Sequence, residues 1–282
     1  MSLDRRSFLK WFSGSLVGGA LIGGSYGVTE TFRQTVKHHT LSTYKWPKGM
    51  DRLTIAAVGD LHVGCPSVNL ERTRQIVESI NAMDADVVAL LGDYLCSTEL
   101  GSTYVEPAAI AEVLGGIKSR HGTFAVLGNH DWYNDGKGMW KALKNVGITV
   151  LENNASSIFI GNKRVWIAGL ADDITRTPNL KRALRRVPSD EPVIVLSHDP
   201  ATFLDTTSQP VVTLSGHTHG GQIAMPFVGP VVMSGRAPLR YAYGHINEDG
   251  NDLIVTSGVG TSALPLRAFA CPEIMEVIVQ SA

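Results

Sequence analysis

The chain has 282 residues, of which 44% are hydrophobic and 18% are charged, and its formal net charge is -1. This length and composition suit one large globular domain, or two small ones, with a substantial core. A net charge so close to zero excludes a general attraction to polyanions, so specific binding of nucleic acid is not expected. Any affinity for phosphate must come from a local site. The cysteines are odd in number and form no Cys-x-x-Cys pair, so we expect small buried or loop residues; they are Cys65, Cys96 and Cys271.

The first thirty residues differ in composition from the rest of the chain. Basic residues precede an uncharged, glycine-rich and moderately apolar run from Trp11 to Val28, which is the pattern of an export signal. The segment Arg5-Arg6-x-Phe8-Leu9-Lys10 resembles a bacterial twin-arginine signal, an address for the twin-arginine export machinery, although Asp4 stands where Ser or Thr is usual. The run is about 18 residues long, near the lower limit for crossing a bilayer. A cleaved signal, a retained N-terminal anchor and a buried N-terminal helix are the three alternatives.

These features divide the chain into three parts. Residues 1–29 are predicted to be the signal or anchor, residues 30–50 a linker with an edge strand near Lys37–Tyr44, and residues 51–282 the main domain. A protein with this start is expected in the periplasm or cell envelope, or anchored to the outer face of the inner membrane.

From residue 51 onwards, short β-rich runs alternate with helical patterns. Most runs are almost continuously apolar, as expected for strands covered on both faces. The pattern predicts an α/β fold with a mixed sheet or a two-sheet sandwich flanked by helices. The predicted strands are Leu53–Val58, Val87–Leu91, Thr123–Leu127, a hairpin of Ser157–Ile160 and Arg164–Ile167, Val193–Leu196, Val211–Leu214 and Asp252–Thr256. The predicted helices run from about Val68 to Met83 with Ser67 as N-cap, from Pro107, from Met139 to Val146 and from Asn179 to Val187.

Polar side chains follow five of these strands at their carboxyl ends. This is the edge where open α/β sheets bind ligands. Glycine precedes four of the clusters and permits sharp turns and close packing of neighbouring loops. The clusters are Asp60 with His62, Asp93, Asn129-His130-Asp131, His198-Asp199, and His217 with His219.

The residue types in these clusters suit a metal centre. Asp60 and His62 are two apart, so in extended backbone both side chains project to the same side. His217 and His219 share that spacing, although a slight turn at Thr218 would send them to two adjacent ions. Carboxylate, imidazole and amide ligands without thiolate favour Mn, Fe or Zn. Seven candidate ligands are too many for one ion, whereas two ions about 3.5–4 Å apart that share a carboxylate would use them all.

Together the motifs resemble those of the calcineurin-like metallophosphoesterases. The resemblance extends from about Leu53 to Gly221, and the segment Ser257–Arg267 is similar to the end of small bacterial members. It implies a metallophosphoesterase-type mixed β-sandwich flanked by helices, with residues 51–282 as the catalytic domain. The motifs are Asp60-x-His62, Gly92-Asp93, Gly128-Asn129-His130-Asp131, His198 and Gly216-His217-x-His219.

The resemblance also implies roles for single residues. Asp60, His62 and His219 would hold one metal ion, and Asn129, His198 and His217 the other. Asp93 would bridge the two divalent ions, with Mn favoured and Zn or Fe as alternatives. A metal-bound hydroxide would attack phosphorus. His130 would stabilise the developing charge or protonate the leaving oxygen. Asp131 would orient the His130 ring by a hydrogen bond, with an exposed loop carboxylate as the alternative.

Departures from the family narrow the substrate. After Asp93 the chain has Tyr94-Leu95-Cys96-Ser97, which lacks the Asp and Arg of Ser/Thr protein phosphatases and the Tyr ligand of purple acid phosphatases. Phosphodiesters, pyrophosphate bonds of lipid precursors such as a UDP-sugar lipid, and small phosphomonoesters remain. The membrane alternative rests on the N-terminal run. A non-enzymatic scaffold is disfavoured, because such a scaffold is expected to have lost ligands and this chain has all of them.

Other residues give weaker signals for contact with substrate. Two of them, Trp132 and Tyr133, follow the central motif and would form a wall of the site or pack beneath the loop. The remainder are Asp172, Asp173, Arg176, Lys181, Gln222, Arg240, Tyr241 and Tyr243.

Overall fold

The computed structural model describes residues 24–96, 100–230, 233 and 235–282. The predicted signal or anchor lies mostly outside these residues, so the twin-arginine assignment stays a prediction. Residues 24–31 are helical. Within the described part of the chain, no helix is long and apolar enough to cross a membrane.

Strands and helices alternate along the chain, as the sequence predicts. The strands are β1 (Thr35–Thr43), β2 (Leu53–Val58), β3 (Val87–Leu90), β4 (Thr123–Ala125), β5 (Thr149–Val150), β6 (Asn154–Ile160), β7 (Lys163–Gly169), β8 (Val193–Ser197), β9 (Val212–Ser215), β10 (Ala224–Met225), β11 (Gly229–Pro230), β12 (Gly244–Glu248), β13 (Asn251–Val255) and β14 (Glu273–Ser281). The α-helices are α1 (Leu70–Ala82), α2 (Pro107–Leu114), α3 (Asn129–Asn134), α4 (Gly136–Asn145) and α5 (Leu180–Ala183). Short 3-10 helices cover Leu184–Arg186, Pro200–Asp205, His219–Gly221 and Leu239–Tyr241.

The described strands form two six-stranded sheets and a small hairpin. The first sheet has the order β1-β14-β2-β3-β4-β5, and the second has the order β12-β13-β9-β8-β7-β6. Strands β2, β3 and β4 are parallel neighbours, as are β7, β8 and β9. Strand β1 lies at the edge of its sheet, where the sequence predicts an edge strand, and pairs with β14. Parallel neighbours end at the same edge of each sheet, so their following loops meet.

The two sheets pack face to face over a buried apolar layer. Ile55 and Ala89 from the first sheet share this core with Ile167, Ile194 and Leu214 from the second. Each fully buried aliphatic side chain stabilises the fold by about 1.5–3 kcal/mol. This shared core and the outer helices explain why the strand runs are apolar at consecutive positions, and the predicted two-sheet sandwich flanked by helices is confirmed.

Helices cover the outer face of the first sheet. Ile76 and Ile80 of α1 are buried there with Ile110 of α2. The start of α1 differs from the prediction, because its N-cap is Asn69, whose side chain accepts a hydrogen bond from Arg72 N at 2.8 Å. Ser67, the predicted cap, instead has its hydroxyl 3.1 Å from Thr261 Oγ1.

Several further elements differ from the sequence prediction. The central motif does not remain in a loop but opens helix α3. The predicted Asn179–Val187 helix is shorter, since α5 gives way to a 3-10 turn after Ala183. Strand β14 was not predicted, although it lies inside the first sheet between β1 and β2. Its apolar run is interrupted by two glutamates, Glu273 at its first position and Glu276 at its fourth.

Candidate active site

The loops after β2 and β3 bring the first two motifs together. The backbone N–H groups of Asp60 and His62 donate to the carbonyl oxygens of Gly92 and Asp93, each at 2.9 Å. Asp60 and His62 have φ of 55° and 45°. The prediction of extended backbone at these two residues is therefore wrong. Left-handed backbone at a residue other than glycine is strained, and such strain concentrates at functional sites.

Asp60, His62 and His219 form one cluster of potential ligand atoms. The Nε2 atoms of His62 and His219 lie 3.1 Å apart, and His219 Nε2 is 3.7 Å from Asp60 Oδ1. Each residue offers a ligand atom within 4.8 Å of the others. Burial lowers the pKa of His62 to about 3 and that of His219 well below its ordinary value, so both rings are neutral near pH 7.

Asp93, His198 and His217 form the second cluster, with ligand atoms again within 4.8 Å of one another. Asn129 belongs beside it, because its Oδ1 lies 3.2 Å from His198 Nε2. The backbone at Thr218 turns, and His217 and His219 have φ of 69° and 53°. The two histidines therefore enter different clusters, which is the second of the arrangements considered from sequence.

Asp93 lies between the two clusters. Its Oδ2 atom is 3.6 Å from His62 Nε2 and 3.2 Å from His198 Nε2. Gly128 makes room for this approach, since a Cβ there would lie 2.7 Å from His198 Nε2. A single carboxylate oxygen thus faces both groups of ligands.

His130 also offers a ring nitrogen within 4.8 Å of potential ligand atoms of His62 and Asp93, but unlike those two residues it is only partly buried. Its backbone N–H donates to Asp93 Oδ1 at 2.9 Å, while its ring packs edge-on against His62 with centroids 4.6 Å apart. The ring is partly exposed and lines the open cavity, together with Asn129 and His217. This position lets His130 reach a molecule in the cavity.

Asp131 has neither of the roles expected from sequence. It is buried, and each of its carboxylate oxygens accepts two backbone hydrogen bonds. Oδ2 accepts from Asp93 N and Gly128 N, both at 2.9 Å, and Oδ1 accepts from Tyr94 N and Leu95 N at 2.8 and 3.0 Å. Both oxygens are filled, so Asp131 fixes the loop that carries Asp93 and does not orient the His130 ring.

Comparison with known proteins identifies the family. A family model for calcineurin-like phosphoesterases matches residues 53–221. The chain belongs to this family. It is 32% identical over 279 residues to the uncharacterized metallophosphoesterase YkuE of Bacillus subtilis, with 96% of each chain covered. An uncharacterized metallophosphoesterase of Aquifex aeolicus is 29% identical over 269 residues, which cover 93% of this chain and 97% of that protein.

The fold of this calcineurin-like phosphoesterase is also found in a solved structure. The NAD nucleotidase (NadN) of Haemophilus influenzae superimposes with a TM-score of 0.51 at 15% identity, covering 74% of this chain and 46% of that one. That likeness concerns the fold alone. Family membership makes the protein a hydrolase acting on phosphoric ester bonds, so the predicted enzyme class is confirmed. The family is metal-dependent, and the two Asp and His clusters could bind metal ions.

The surroundings of His198 fit a metal ligand. Its Nδ1 lies 2.8 Å from the carbonyl oxygen of Leu91, which can only accept, so Nδ1 donates to that oxygen and Nε2 is the nitrogen available to a metal ion. Nε2 faces oxygens of Asp93 and Asn129, which favour a positive charge at this point, either a proton on Nε2 or a metal ion bound to it. Burial lowers the pKa of His198, but the carboxylates of Asp93 and Asp60 outweigh it and raise the pKa well above its ordinary value. The same field favours a divalent cation.

Arg267 supports the first cluster and was given no role from sequence. Its fully buried Nη2 donates to the carbonyl oxygens of Ser257 and Gly260 at 2.7 and 2.6 Å, and lies 3.3 Å from His219 Nδ1. The loop that Arg267 holds packs closely against Asp60, because a Cβ at Gly258 would lie 2.6 Å from Asp60 Cβ. A buried arginine is unusual in any fold. The sequence signal was an arginine inside an otherwise apolar, glycine-rich segment.

The clusters open into a cavity of about 640 Å³. Asp93, Asn129 and His130 lie at its floor beside His217 and His219. Its walls are largely apolar and come from Tyr133, Ile174, Ile223, Met233 and Leu264. Tyr133 and Ile174 are shared with a second, more polar cavity that Lys137 and Arg176 also line.

Most of the weaker sequence candidates have other contacts. Asp172 accepts hydrogen bonds within its own turn from Thr175, and Asp173 pairs with Arg236 at 2.8 Å. Arg176 stacks on Trp132, 3.8 Å from the ring centroid. Lys181 lies in α5, and Gln222 lines the cavity while bonding the carbonyl oxygens of Ser262 and Leu264. Arg240 and Tyr241 bind Glu248, and Tyr243 donates to Glu273 at 2.7 Å.

Proposed function

We propose that this protein is a two-metal phosphoesterase that cleaves phosphodiester or pyrophosphate-type bonds. The observation that carries the proposal is the position of Asp93 Oδ2, within 3.6 Å of an imidazole nitrogen in each cluster. One carboxylate that faces two ligand groups is what a pair of adjacent ions requires.

The ligands divide as the clusters do. Asp60, His62 and His219 would hold one ion, Asn129, His198 and His217 the other, and Asp93 would contact both. Carboxylate, imidazole and amide ligands favour Mn, with Zn or Fe as alternatives. When bound, two such ions polarise phosphoryl oxygens and lower the pKa of water enough for attack on phosphorus at neutral pH.

His130 completes the reaction from the cavity side. Its ring is close enough to His62 to lie beside the phosphoryl group, yet it faces the space where the leaving group would emerge. From there it would donate a hydrogen bond to the developing charge or a proton to the leaving oxygen. The backbone bond to Asp93 Oδ1 ties the position of His130 to the shared ligand.

The cavity supports a substrate larger than a simple phosphomonoester. Apolar walls at Ile223 and Leu264 suit an apolar substituent on phosphorus, and the adjoining cavity with Lys137 and Arg176 suits a polar or anionic one. A UDP-sugar lipid of the lipid A precursor type, which joins both kinds of group through a pyrophosphate, is the alternative substrate. A small phosphomonoester would use less of the available surface.

An activity panel tests the proposed function. The metal-free protein is loaded with Mn, Zn or Mg and assayed on an aryl phosphomonoester, an aryl phosphodiester, a cyclic nucleotide and a UDP-linked sugar lipid. We expect the diester or the pyrophosphate to be hydrolysed with the highest kcat/KM, and activity to vanish on chelation and return with metal. Preference for the monoester would contradict the proposed bond type. Inactivity on every substrate, with less than about one ion bound per chain, would favour the scaffold.

Replacing His130 with Gln is expected to slow turnover without releasing metal. The substitution removes a group that can transfer a proton, so kcat should fall by about 10²–10⁴-fold. Bound metal, measured by plasma mass spectrometry, should stay at the wild-type level because the backbone bond from residue 130 to Asp93 is kept. An aryl diester with a very acidic phenol provides the control, since it needs little protonation and should lose less rate. Equal losses for both diesters would argue against the acid role.

Export by the twin-arginine machinery remains a prediction from Arg5-Arg6-x-Phe8-Leu9-Lys10. N-terminal sequencing of protein recovered from the cell envelope would decide between a cleaved signal and a retained anchor. A mature chain that still carries residues 1–29 and sediments with membranes would favour the anchor.

A further inference from the structure

An exposed apolar surface borders the mouth of the cavity. We call it the mouth patch. Phe227 is its most prominent member, with its side chain fully exposed at the turn between β10 and β11. Isolated exposed apolar residues are ordinary, but a contiguous group marks an interaction site. The patch comprises Tyr26, Ile223, Met225, Phe227, Val228, Leu264 and Phe269.

Contacts connect four residues of the patch, and Met225, Phe227 and Val228 follow Ile223 closely in the chain. Ile223 and Leu264 both line the cavity mouth. Ile223 forms a bridge with Ala268, which places it next to Phe269. The ring of Phe269 in turn contacts that of Tyr26, with centroids 5.4 Å apart. The patch therefore runs from the cavity mouth to the helical segment at residues 24–31.

The backbone is strained at two residues of the mouth patch and at Ala263, which precedes a third. Phe227, Ala263 and Phe269 have φ of 63°, 61° and 55°. Left-handed backbone is unfavourable for bulky apolar residues, which have no polar atom to stabilise it locally. A surface loop with a free choice of residue would have glycine or asparagine at such positions. A strained backbone that exposes a phenylalanine ring to solvent indicates that the ring has a function.

The segments that build the patch also lack charge. Residues 221–235 and, on the neighbouring surface loop, residues 262–266 contain no Asp, Glu, Lys or Arg. A protein surface in contact with water alone normally mixes both charge signs at such lengths. Uncharged surface that carries aromatic and aliphatic side chains suits the boundary of a bilayer, into which such elements sink by about 5–10 Å.

We propose that the mouth patch docks on a phospholipid bilayer and places the cavity mouth at the level of the lipid headgroups. The chain itself favours this occupant over another protein. The apolar, uncharged run from Trp11 to Val28 leads into the helical segment, where Gly27 accepts a hydrogen bond from Arg267 N at 3.1 Å. A membrane-associated N-terminus would thus enter the fold beside the patch. The substrate would then be an amphiphilic phosphoester presented from the membrane, a step that rests on the proposed function.

Photo-cross-linking of the full chain tests the proposal at single positions. The protein is mixed with vesicles of phosphatidylethanolamine and phosphatidylglycerol that carry a trace of diazirine-labelled phosphatidylethanolamine, irradiated, and mapped by mass spectrometry. We expect lipid adducts on residues 223–228 and 264–269 at about ten times the yield on residues 155–160. Adducts confined to residues 1–23 would overturn the proposal, because the N-terminus alone would then contact lipid.

A matched pair of variants separates the patch from general surface hydrophobicity. Phe227→Asp should lower the adduct yield on residues 223–228 by about tenfold. Phe159→Asp, which changes an exposed phenylalanine on β6, should leave that yield unchanged. The same yield of lipid adducts on residues 223–228 in Phe227→Asp and Phe159→Asp would contradict the proposal. So would a concentration-dependent dimer that Phe227→Asp dissociates without any lipid adduct, because a second copy would then cover the patch.

Hydrolysis of a soluble aryl diester is measured on the same samples. Its absence from the wild type would contradict the proposed function, whereas the adduct map would still test the docking surface. A wild type that hydrolyses the soluble diester but forms no lipid adducts on residues 223–228 and 264–269 would contradict the docking surface alone.

Discussion

Asp93→Asn is expected to lower the rate of phosphodiester hydrolysis by about 10³-fold or more and to reduce the metal bound per chain. The change removes one negative charge from the oxygen that faces both His62 and His198. The Asn side chain would place either its amide oxygen or its NH₂ group next to the two imidazole rings. Neither group carries the negative charge of the carboxylate. The local fold should survive, because Asn can still accept the hydrogen bond from His130 N with its Oδ1.

The measurements are kcat on an aryl phosphodiester at saturating Mn and metal content by plasma mass spectrometry. Asp84→Asn is a matched control, since Asp84 also has a left-handed backbone, with φ of 49°, but is exposed and pairs with Arg120. It should retain the wild-type rate and metal content. Wild-type turnover by Asp93→Asn with unchanged metal would show that the shared carboxylate is dispensable and would remove the main support for the two-metal proposal.

The gathering of the candidate ligands at one place could be predicted from the sequence. Buried parallel strands have continuous apolar runs, and the polar residues that follow such runs must lie at one edge of the sheet. Asp60, Asp93, Asn129, His198 and His217 are all positioned in this way. The strand ends alone determine this placement, and glycine marks four of the five.

The local geometry could not be predicted in the same way. Left-handed backbone at Asp60, His62 and Asp93 is imposed by hydrogen bonds between loops, and such bonds join residues far apart in the sequence. The spacing of two residues therefore correctly predicted that Asp60 and His62 belong to one cluster, although the extended backbone on which that prediction relied is absent. Arg267 poses the same difficulty, because its partners are carbonyl oxygens that no side-chain pattern reveals.

Asp131→Asn is expected to destabilise the fold by about 3–5 kcal/mol. The carboxylate accepts four backbone hydrogen bonds, and two of the donors, Asp93 N and Gly128 N, precede or carry candidate ligands. An amide keeps only one acceptor oxygen. Its NH₂ group would face the other pair of buried N–H donors, which would then lose their partners. Burial and the Asp93 carboxylate raise the pKa of Asp131 to about 7, so the four donors act against a considerable desolvation penalty.

Urea unfolding of the metal-free protein measures this effect without the contribution of bound ions. Asp135→Asn is the control, because Asp135 is exposed and accepts a single hydrogen bond from Gly138 N at 2.9 Å as the N-cap of α4. Asn caps helices about as well as Asp, so the control should change the free energy of unfolding by less than about 0.5 kcal/mol. If the two variants unfold alike, Asp131 does not hold the loop. If only Asp131→Asn is destabilised, its residual activity will show how far the position of Asp93 depends on these four amides.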